Sequence, residues 1–147
     1  SAASDVYKRQ VRIGAADAIA GDIQWHGGLV ATKNFVSLAE KIGLDYWFHT
    51  GDELGVHTAA AAHIVVSTPY MLHPNQSMSI HMVDDIIKDR FTYKEGTIEV
   101  PESPGLGVEI DRAKLEKYAR LFEKERERVW RFPDFKRPGW FPRIPSV

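Results

Sequence analysis

Two short apolar runs, each ending in a polar side chain and each followed by a helical pattern, constrain the fold of this chain most strongly. Residues 17–22, DAIAGD, end at Asp22, and residues 44–50, LDYWFHT, bring His49 to the end of a second run. A helical pattern follows each of them. Strands that alternate with helices indicate parallel strands joined by crossover helices.

The two helical segments differ in their apolar faces. The first segment has apolar residues at intervals of three and four, and Gly43 is a natural end for it; these residues are Leu29, Ala31, Phe35, Leu38, Ala39 and Ile42. The second, residues 54–68, is apolar on nearly all sides and stops before Pro69. Residues 77–84, SMSIHMVD, are a third strand candidate. The predicted order is therefore strand, helix, strand, helix, strand.

The pattern changes after residue 90. RFTYKEGTIEV alternates apolar and polar residues around Glu95 and Gly96, which predicts a hairpin. Asp111 is placed to cap the helix that follows it, where Glu116 and Arg120 form a pair at i, i+4. The tail, residues 131–147, is rich in proline and aromatics, and we expect it to be extended and docked.

Composition limits the classes of protein to which the chain can belong. The net charge of −1 gives no support to binding of nucleic acid or of an anionic membrane surface. The sequence has no apolar run of the ~18 residues that a membrane-spanning helix needs. Cysteine is absent, so disulfides and thiolate metal sites are excluded and a cytoplasmic location is expected. The length of 147 residues and the 44% apolar content suit one domain with a real core.

Asp22 and His49 are the candidate catalytic pair. Neighbouring parallel strands lie ~4.8 Å apart, so a carboxylate and an imidazole at their ends can meet. The carboxylate would fix the tautomer of the imidazole and stabilise its protonated form, which makes the histidine a useful base. The carboxyl ends of parallel strands carry the ligand sites in barrels and in open sheets, so position alone does not choose between these folds.

Other interpretations of these residues stay open. His49 could be a strand-end residue bonded to backbone, without a catalytic role. A metal site could form from His49, Asp52, Glu53 and His57, although no spacing here matches a standard zinc motif. His63, in the apolar helix, is interpreted as a packed histidine with its hydrogen bonds satisfied.

Several stretches together resemble the C-terminal part of enolase-superfamily enzymes. They are Asp22 with the Gly-rich loop and helix after it, WFHT at the end of the second strand, LGVHTAAAAHIVVSTP, PESPGLGVEID and PGW. The resemblance is to the mandelate racemase/muconate lactonizing type, and within it to the glucarate dehydratases and related acid-sugar dehydratases. It covers residues 11–140.

The resemblance implies a fold and a division of the chain. Residues 11–90 would form the C-terminal portion of a (β/α)8 (TIM-like) barrel, β6-α6-β7-α7-β8. Residues 91–147 would form a hairpin, a C-terminal helix and an extended tail that pack on the barrel and on a capping domain outside this chain. Residues 1–10 are expected to be a non-native junction.

The resemblance also implies roles for residues. Asp22 would orient His49, and His49 would move the proton α to a substrate carboxylate. Thr50 and Gly51 would line the substrate pocket, and His81 would contribute a polar group from the eighth strand. No metal ligand is expected in this chain, because the ligands of the Mg2+ ion and a lysine base belong to earlier strands. The implied partners are a small acid-sugar substrate and further copies of the same protein.

The expected function is that of a Mg-dependent acid-sugar dehydratase, a lyase, with the 147 residues inactive on their own. Gly51 stands where glucarate dehydratase has an asparagine, so the resemblance leaves the substrate open. Two alternatives remain: a racemase or epimerase of the same superfamily, and a non-catalytic α/β binding module in which Asp22 and His49 are structural.

Overall fold

The computed structural model describes residues 9–124, which fall into two compact units, one up to Ile110 and one from Asp111 onward. The first unit contains, in chain order, β1 (Ala18–Gly21), α1 (Ile23–His26), α2 (Leu29–Lys41), β2 (Asp45–Phe48), α3 (Gly55–Val66) and a 3-10 helix (Ser79–His81). The second contains α4 (Arg112–Lys124). In this part of the chain, no helix is both long enough and apolar enough to cross a bilayer.

The two strands form a parallel sheet, as their alternation with helices predicted. Ala18 pairs with Asp45 and Gly21 with Phe48, and α1 and α2 make the connection between the strands. The sheet has two strands, and residues 9–124 contain no closed barrel. The predicted αβ architecture is thus confirmed for the first two strands and their helices.

One face of this sheet carries the core. Tyr46 and Phe48 are 1% and 0% exposed and belong to a cluster with Val36 and Ala39 of α2. On the opposite face, Trp47 is only partly buried. Successive side chains of a strand point to opposite faces of the sheet. The residues two positions before and after Trp47 therefore share its more open face.

The first long helix ends as its sequence predicts. The N–H of Gly43 donates to the carbonyl of Glu40 at 3.1 Å, and Gly43 has a φ of 73°. This left-handed conformation suits glycine, which has no Cβ to clash with the preceding turn. It turns the chain directly from α2 into β2.

The predicted third strand, residues 77–84, is wrong. This segment contains the 3-10 helix Ser79–His81 instead. The reason is a side chain: Oε1 of Glu53 accepts hydrogen bonds from the backbone N–H groups of Met78, at 2.7 Å, and Ser79, at 3.1 Å. Donors held by a carboxylate cannot also join a ladder with a neighbouring strand.

A slightly earlier segment lies beside β2. The N–H of Gln76 donates to the carbonyl of Phe48 at 3.0 Å, and the N–H of Phe48 donates to Oδ1 of Asn75 at 2.8 Å. The chain therefore does return to the sheet after α3, but at residues 75–76 rather than at 77–84.

The predicted hairpin forms at its turn. Lys94 and Thr97 exchange two backbone hydrogen bonds of 2.9 Å, and Glu95 and Gly96 both have positive φ, at 50° and 77°. Positive φ at both central residues is the geometry of a tight hairpin turn. The pairing stops at this bridge, so the strands expected on either side do not form.

The second unit follows its sequence signals. Oδ1 of Asp111 accepts a hydrogen bond from the N–H of Lys114 at 3.1 Å, which confirms the predicted cap. Arg120 donates to Glu116 at 3.3 Å, as the i, i+4 spacing predicted. The tail, residues 131–147, and most of the expected junction, residues 1–8, lie outside the described residues.

Candidate active site

Asp22 and His49 follow the paired ends of the two strands. The N–H of His49 donates to the carbonyl of Gly21 at 2.8 Å, which continues the ladder beyond the pair Gly21–Phe48. Asp22 keeps an extended backbone, with φ −138° and ψ 138°. The register therefore sets Asp22 opposite His49, and the prediction that they follow neighbouring parallel strands is confirmed.

The carboxylate of Asp22 has two hydrogen-bond partners. Its Oδ1 accepts from the backbone N–H of Gln24 at 2.7 Å, which caps α1, and lies 3.3 Å from Nε2 of His57 on α3. The side chains of His57 and Asp22 are 10% and 14% exposed. His49 is exposed, and within residues 9–124 no hydrogen bond joins its side chain to Asp22. The predicted hydrogen bond between the two side chains is therefore not formed in this structure.

A partly buried cluster of rings lies under this strand end. The hydroxyl of Tyr46 is 3.0 Å from Nε2 of His26, and the ring of His26 stacks on Phe35 with 4.4 Å between centroids. Burial lowers the pKa of His26, against an opposing effect of the Asp22 charge. Burial, and then the Asp22 charge, raises the pKa of Tyr46. Both shifts favour a neutral imidazole beside a neutral phenol.

Gly21 is the residue that allows this contact. A Cβ at position 21 would lie 2.2 Å from Oη of Tyr46 and 2.4 Å from Nε2 of His26. A side chain here would therefore displace the two residues packed beneath the end of β1.

The predicted substrate contacts occupy different environments. Thr50 is 3% exposed, and its hydroxyl donates to the carbonyl of Gln76 at 3.3 Å and accepts from the N–H of Met78 at 3.2 Å. Gly51, two residues after His49, is exposed, and so is His81 at the end of the 3-10 helix. The structure thus ties Thr50 to the returning chain, and leaves Gly51 and His81 open.

Glu53, which the sequence suggested only as a metal ligand, has a structural role next to the site. It is 3% exposed, and its Oε1 accepts from the hydroxyl of Ser77 at 2.7 Å as well as from the N–H groups of Met78 and Ser79. Burial by itself would raise the pKa of the Glu53 carboxyl, but these hydrogen bonds outweigh burial and lower it. Glu53 thus holds the loop after β2 against the returning chain as a buried anion.

The alternative metal site of His49, Asp52, Glu53 and His57 does not form. Within residues 9–124, no group of three or more His, Cys, Asp or Glu side chains could hold a metal ion. Glu53 is committed to the chain at 77–79 and His57 to Asp22.

One further prediction concerns a polar residue, and two other polar residues were missed. His63 is a satisfied packed histidine, as expected, because its Nε2 lies 3.3 Å from the carbonyl oxygen of Leu106. Asn75 and Gln76 were missed, although they are the polar residues that lie beside the end of β2. The turn signal His73-Pro74 after a short apolar run was the one hint that the chain returns there.

The chain is similar in sequence and in fold to known proteins. Residues 3–114 match the sequence profile of the family described as Enolase C-terminal domain-like. A protein named Probable glucarate dehydratase from Streptomyces coelicolor is 28% identical over 102 residues, which are 69% of this chain and 24% of that protein.

Two solved structures are also similar. An isomerase from Streptomyces coelicolor A3(2) is 39% identical with a TM-score of 0.72, over 78% of this chain and 31% of that one. An enolase from Thermobispora bispora, complexed with magnesium and formate, is 25% identical with a TM-score of 0.76, over 82% of this chain and 29% of that one.

The chain is much shorter than the proteins it matches. The chain spans between about a quarter and a third of the length of the proteins it matches. The family match covers 3–114, which includes both strand ends and the three helices between Ile23 and Val66. The chain belongs to the enolase superfamily, as a C-terminal domain of the mandelate racemase/muconate lactonizing type.

Proposed function

We propose that these residues are part of a longer acid-sugar dehydratase in which Asp22 and His49 form the acid/base pair. The observation that carries the proposal is the strand register, which sets Asp22 opposite His49 at the carboxyl end of a parallel pair. In barrels that end of the sheet is where active sites lie. The relative named glucarate dehydratase supports the substrate class.

His49 is suited to proton transfer because its side chain is exposed on the open face of the sheet. In the proposed reaction a ring nitrogen of His49 takes the proton from the carbon α to the substrate carboxylate. The electron pair left on that carbon then forms a double bond to the β-carbon as the β-hydroxyl departs. The proton that converts the leaving hydroxyl to water can come from the imidazolium that His49 has become.

Asp22 has the complementary role in this proposal. Its carboxylate would hold one ring nitrogen of His49, so that the other faces the substrate, and its charge would stabilise the imidazolium. Such orientation requires the carboxylate to be fixed, and Asp22 is fixed by Gln24 and His57.

Magnesium is the proposed cofactor of the whole protein, as the enolase complexed with magnesium and formate suggests. When bound, it would stabilise the negative charge that develops on the substrate carboxylate. Because residues 9–124 hold no group of three or more side chains able to bind a metal ion, its ligands would belong to the remainder of the protein.

The substrate would lie over His49 and the loop after it. Gly51 and His81, both exposed, are proposed substrate contacts, together with Thr50 beside His49. Asn75 and Gln76 join this set, because their segment is the one that lies alongside the end of β2.

A second candidate function is epimerisation or racemisation of a related acid. The observation that favours it is the 39% identity to a solved isomerase, against 28% to the protein named as a glucarate dehydratase. Both reactions begin with removal of the α-proton, so Asp22 and His49 would keep their roles. They differ in whether a β-hydroxyl leaves.

Product analysis separates the two reactions. The full-length protein would be incubated with magnesium and a panel of aldarates and aldonates, and the products followed by proton NMR. A dehydratase gives a keto-deoxy acid, whereas an epimerase gives a stereoisomer with every hydroxyl kept. The absence of both products over the whole panel would favour the non-catalytic binding module.

A further inference from the structure

His57 is the partner of Asp22 that the sequence did not predict. The two residues are 35 positions apart, and α3 brings the imidazole of His57 to within 3.3 Å of Oδ1 of Asp22. The side chain of His57 is 10% exposed. An imidazole and a carboxylate that are both mostly shielded from solvent form a more fixed contact than an exposed ion pair does.

The environment of His57 determines which of its two ring nitrogens carries a proton. Its Nδ1 is buried and has no hydrogen-bond partner among the described residues. A proton on Nδ1 would be a buried donor without an acceptor, whereas a proton on Nε2 meets the Asp22 carboxylate. The geometry therefore places a proton on Nε2, which donates to Oδ1 of Asp22, and leaves Nδ1 bare.

The two hydrogen bonds to Asp22 fall on the same oxygen. Both Gln24 N–H and His57 Nε2 contact Oδ1, and within residues 9–124 no hydrogen bond reaches Oδ2. A carboxylate held at one oxygen keeps its other oxygen available as an acceptor. The strand register sets His49 opposite Asp22, and the proposed acid/base pair needs a carboxylate acceptor for His49.

We propose that His57 is a positioning residue, which fixes the Asp22 carboxylate through Oδ1 so that Oδ2 can orient His49. This inference rests on the proposed function of Asp22 and His49. His57 is itself too buried to exchange protons with a substrate, and so it would act only through Asp22. A purely structural alternative is that the contact merely attaches α3 to the end of β1.

Two polar substitutions in the full-length protein distinguish these roles. Gln can place its amide N–H near the position of Nε2 and so still reach Asp22, whereas Asn is too short and reaches only the Nδ1 side. We expect His57→Asn to lower kcat by roughly 10- to 100-fold with KM changed by less than about twofold, because a displaced orienting group affects the transition state most. His57→Gln should keep kcat within about threefold of the wild type.

His63→Asn is the matched control. His63 lies on the same helix, and its Nε2 contacts the carbonyl of Leu106 rather than the site. This variant should lower the melting temperature and leave kcat unchanged. If His57→Asn behaves in the same way, or if His57→Gln and His57→Asn lose kcat equally on folded protein, the positioning role is wrong.

A measurement on the unmodified protein does not depend on the variants folding. Nitrogen-15 NMR of labelled imidazoles should show His57 protonated at Nε2 and bare at Nδ1, and a proton on Nδ1 would overturn the inference. His49→Asn, assayed in parallel, separates a failure of the proposed function from a failure of the role proposed for His57. If it keeps turnover, the proposed function fails, whereas loss with His49→Asn and none with His57→Asn refutes only the role of His57.

Discussion

Single side chains decide the path of the chain around the strand ends. Glu53 and Asp85 are both 3% exposed, and each accepts backbone hydrogen bonds from a segment distant in sequence. Sequence patterns give no sign of either contact, because each joins residues 26 or 30 positions apart. The same is true of Asp22 and His57, so the strand-end position of Asp22 was predictable and its actual partner was not.

Glu53 should make the stability of the protein sensitive to acid. Hydrogen bonds lower the folded-state pKa of its carboxyl below the ordinary value of 4.5, so the unfolded chain binds the proton more tightly. The stability that Glu53 contributes is present above pH 4.5 and is lost as the pH falls through its folded-state pKa. We expect denaturant unfolding of the full-length protein to show this fall, and Glu53→Gln to be less stable at pH 7 with a shallower loss below pH 4.5. Equal acid dependence of the two proteins would contradict the assignment.

Gly55 should not tolerate a side chain. A Cβ there would lie 2.2 Å from Cδ1 of Ile87 and 2.9 Å from Oδ2 of Asp85, both of which are buried. Gly55→Ala should therefore reduce the free energy of unfolding by about 1–3 kcal/mol, as overpacked cores do. Gly51→Ala is the control, since a Cβ at position 51 meets nothing within 4 Å, and it should change stability by less than about 0.5 kcal/mol. Similar losses for the two variants, measured by denaturant titration, would show that the contacts at Gly55 do not matter.

At the scale of elements, sequence signals that lie within or beside a helix predicted that helix correctly. The apolar period of α2, the glycine after it and the cap of α4 all lie within a few residues of the structure they determine. The segment 77–84 has an apolar alternation that suits a strand, yet its N–H groups are taken by Glu53. The fold of such a segment depends on competition between distant partners, which a periodic pattern does not record.

The cap of α4 gives a test at this scale. Asp111→Ala removes the acceptor of the Lys114 N–H, so the helix should lose about 1 kcal/mol of stability. Asp111→Asn keeps an acceptor and should lose much less. Amide hydrogen exchange in the first turn of α4 measures this directly, and unchanged protection in Asp111→Ala would contradict the capping role.

In residues 9–124, the proposed acid/base pair lies at one end of a two-stranded parallel sheet. The packed face holds Tyr46 and Phe48, while His49 is exposed on the other side. The parallel order and the end of the sheet that carries Asp22 and His49 were predictable from the sequence. The return of the chain at Asn75 and Gln76 was not, because it depends on hydrogen bonds to β2 rather than on a local pattern.

The 147 residues alone should show no turnover of any acid sugar. They span 24% of the protein named as a glucarate dehydratase, and the described part has no group of three or more His, Cys, Asp or Glu side chains that could hold a metal ion. Isothermal titration should accordingly detect no specific magnesium site in this chain. Catalysis by the isolated chain would mean that the proposed division of the active site is wrong.

The central claim is that His49 transfers the substrate proton, and kcat of the His49→Asn variant tests it most directly. In the full-length protein, this substitution should reduce kcat for the preferred acid by roughly 100- to 10,000-fold, with magnesium affinity and melting temperature near those of the wild type. Asp22→Asn should also reduce kcat, because the imidazole loses the partner that sets its tautomer. If His49→Asn retains near-normal kcat and only melts at a lower temperature, His49 is a structural residue and the proposed mechanism is wrong.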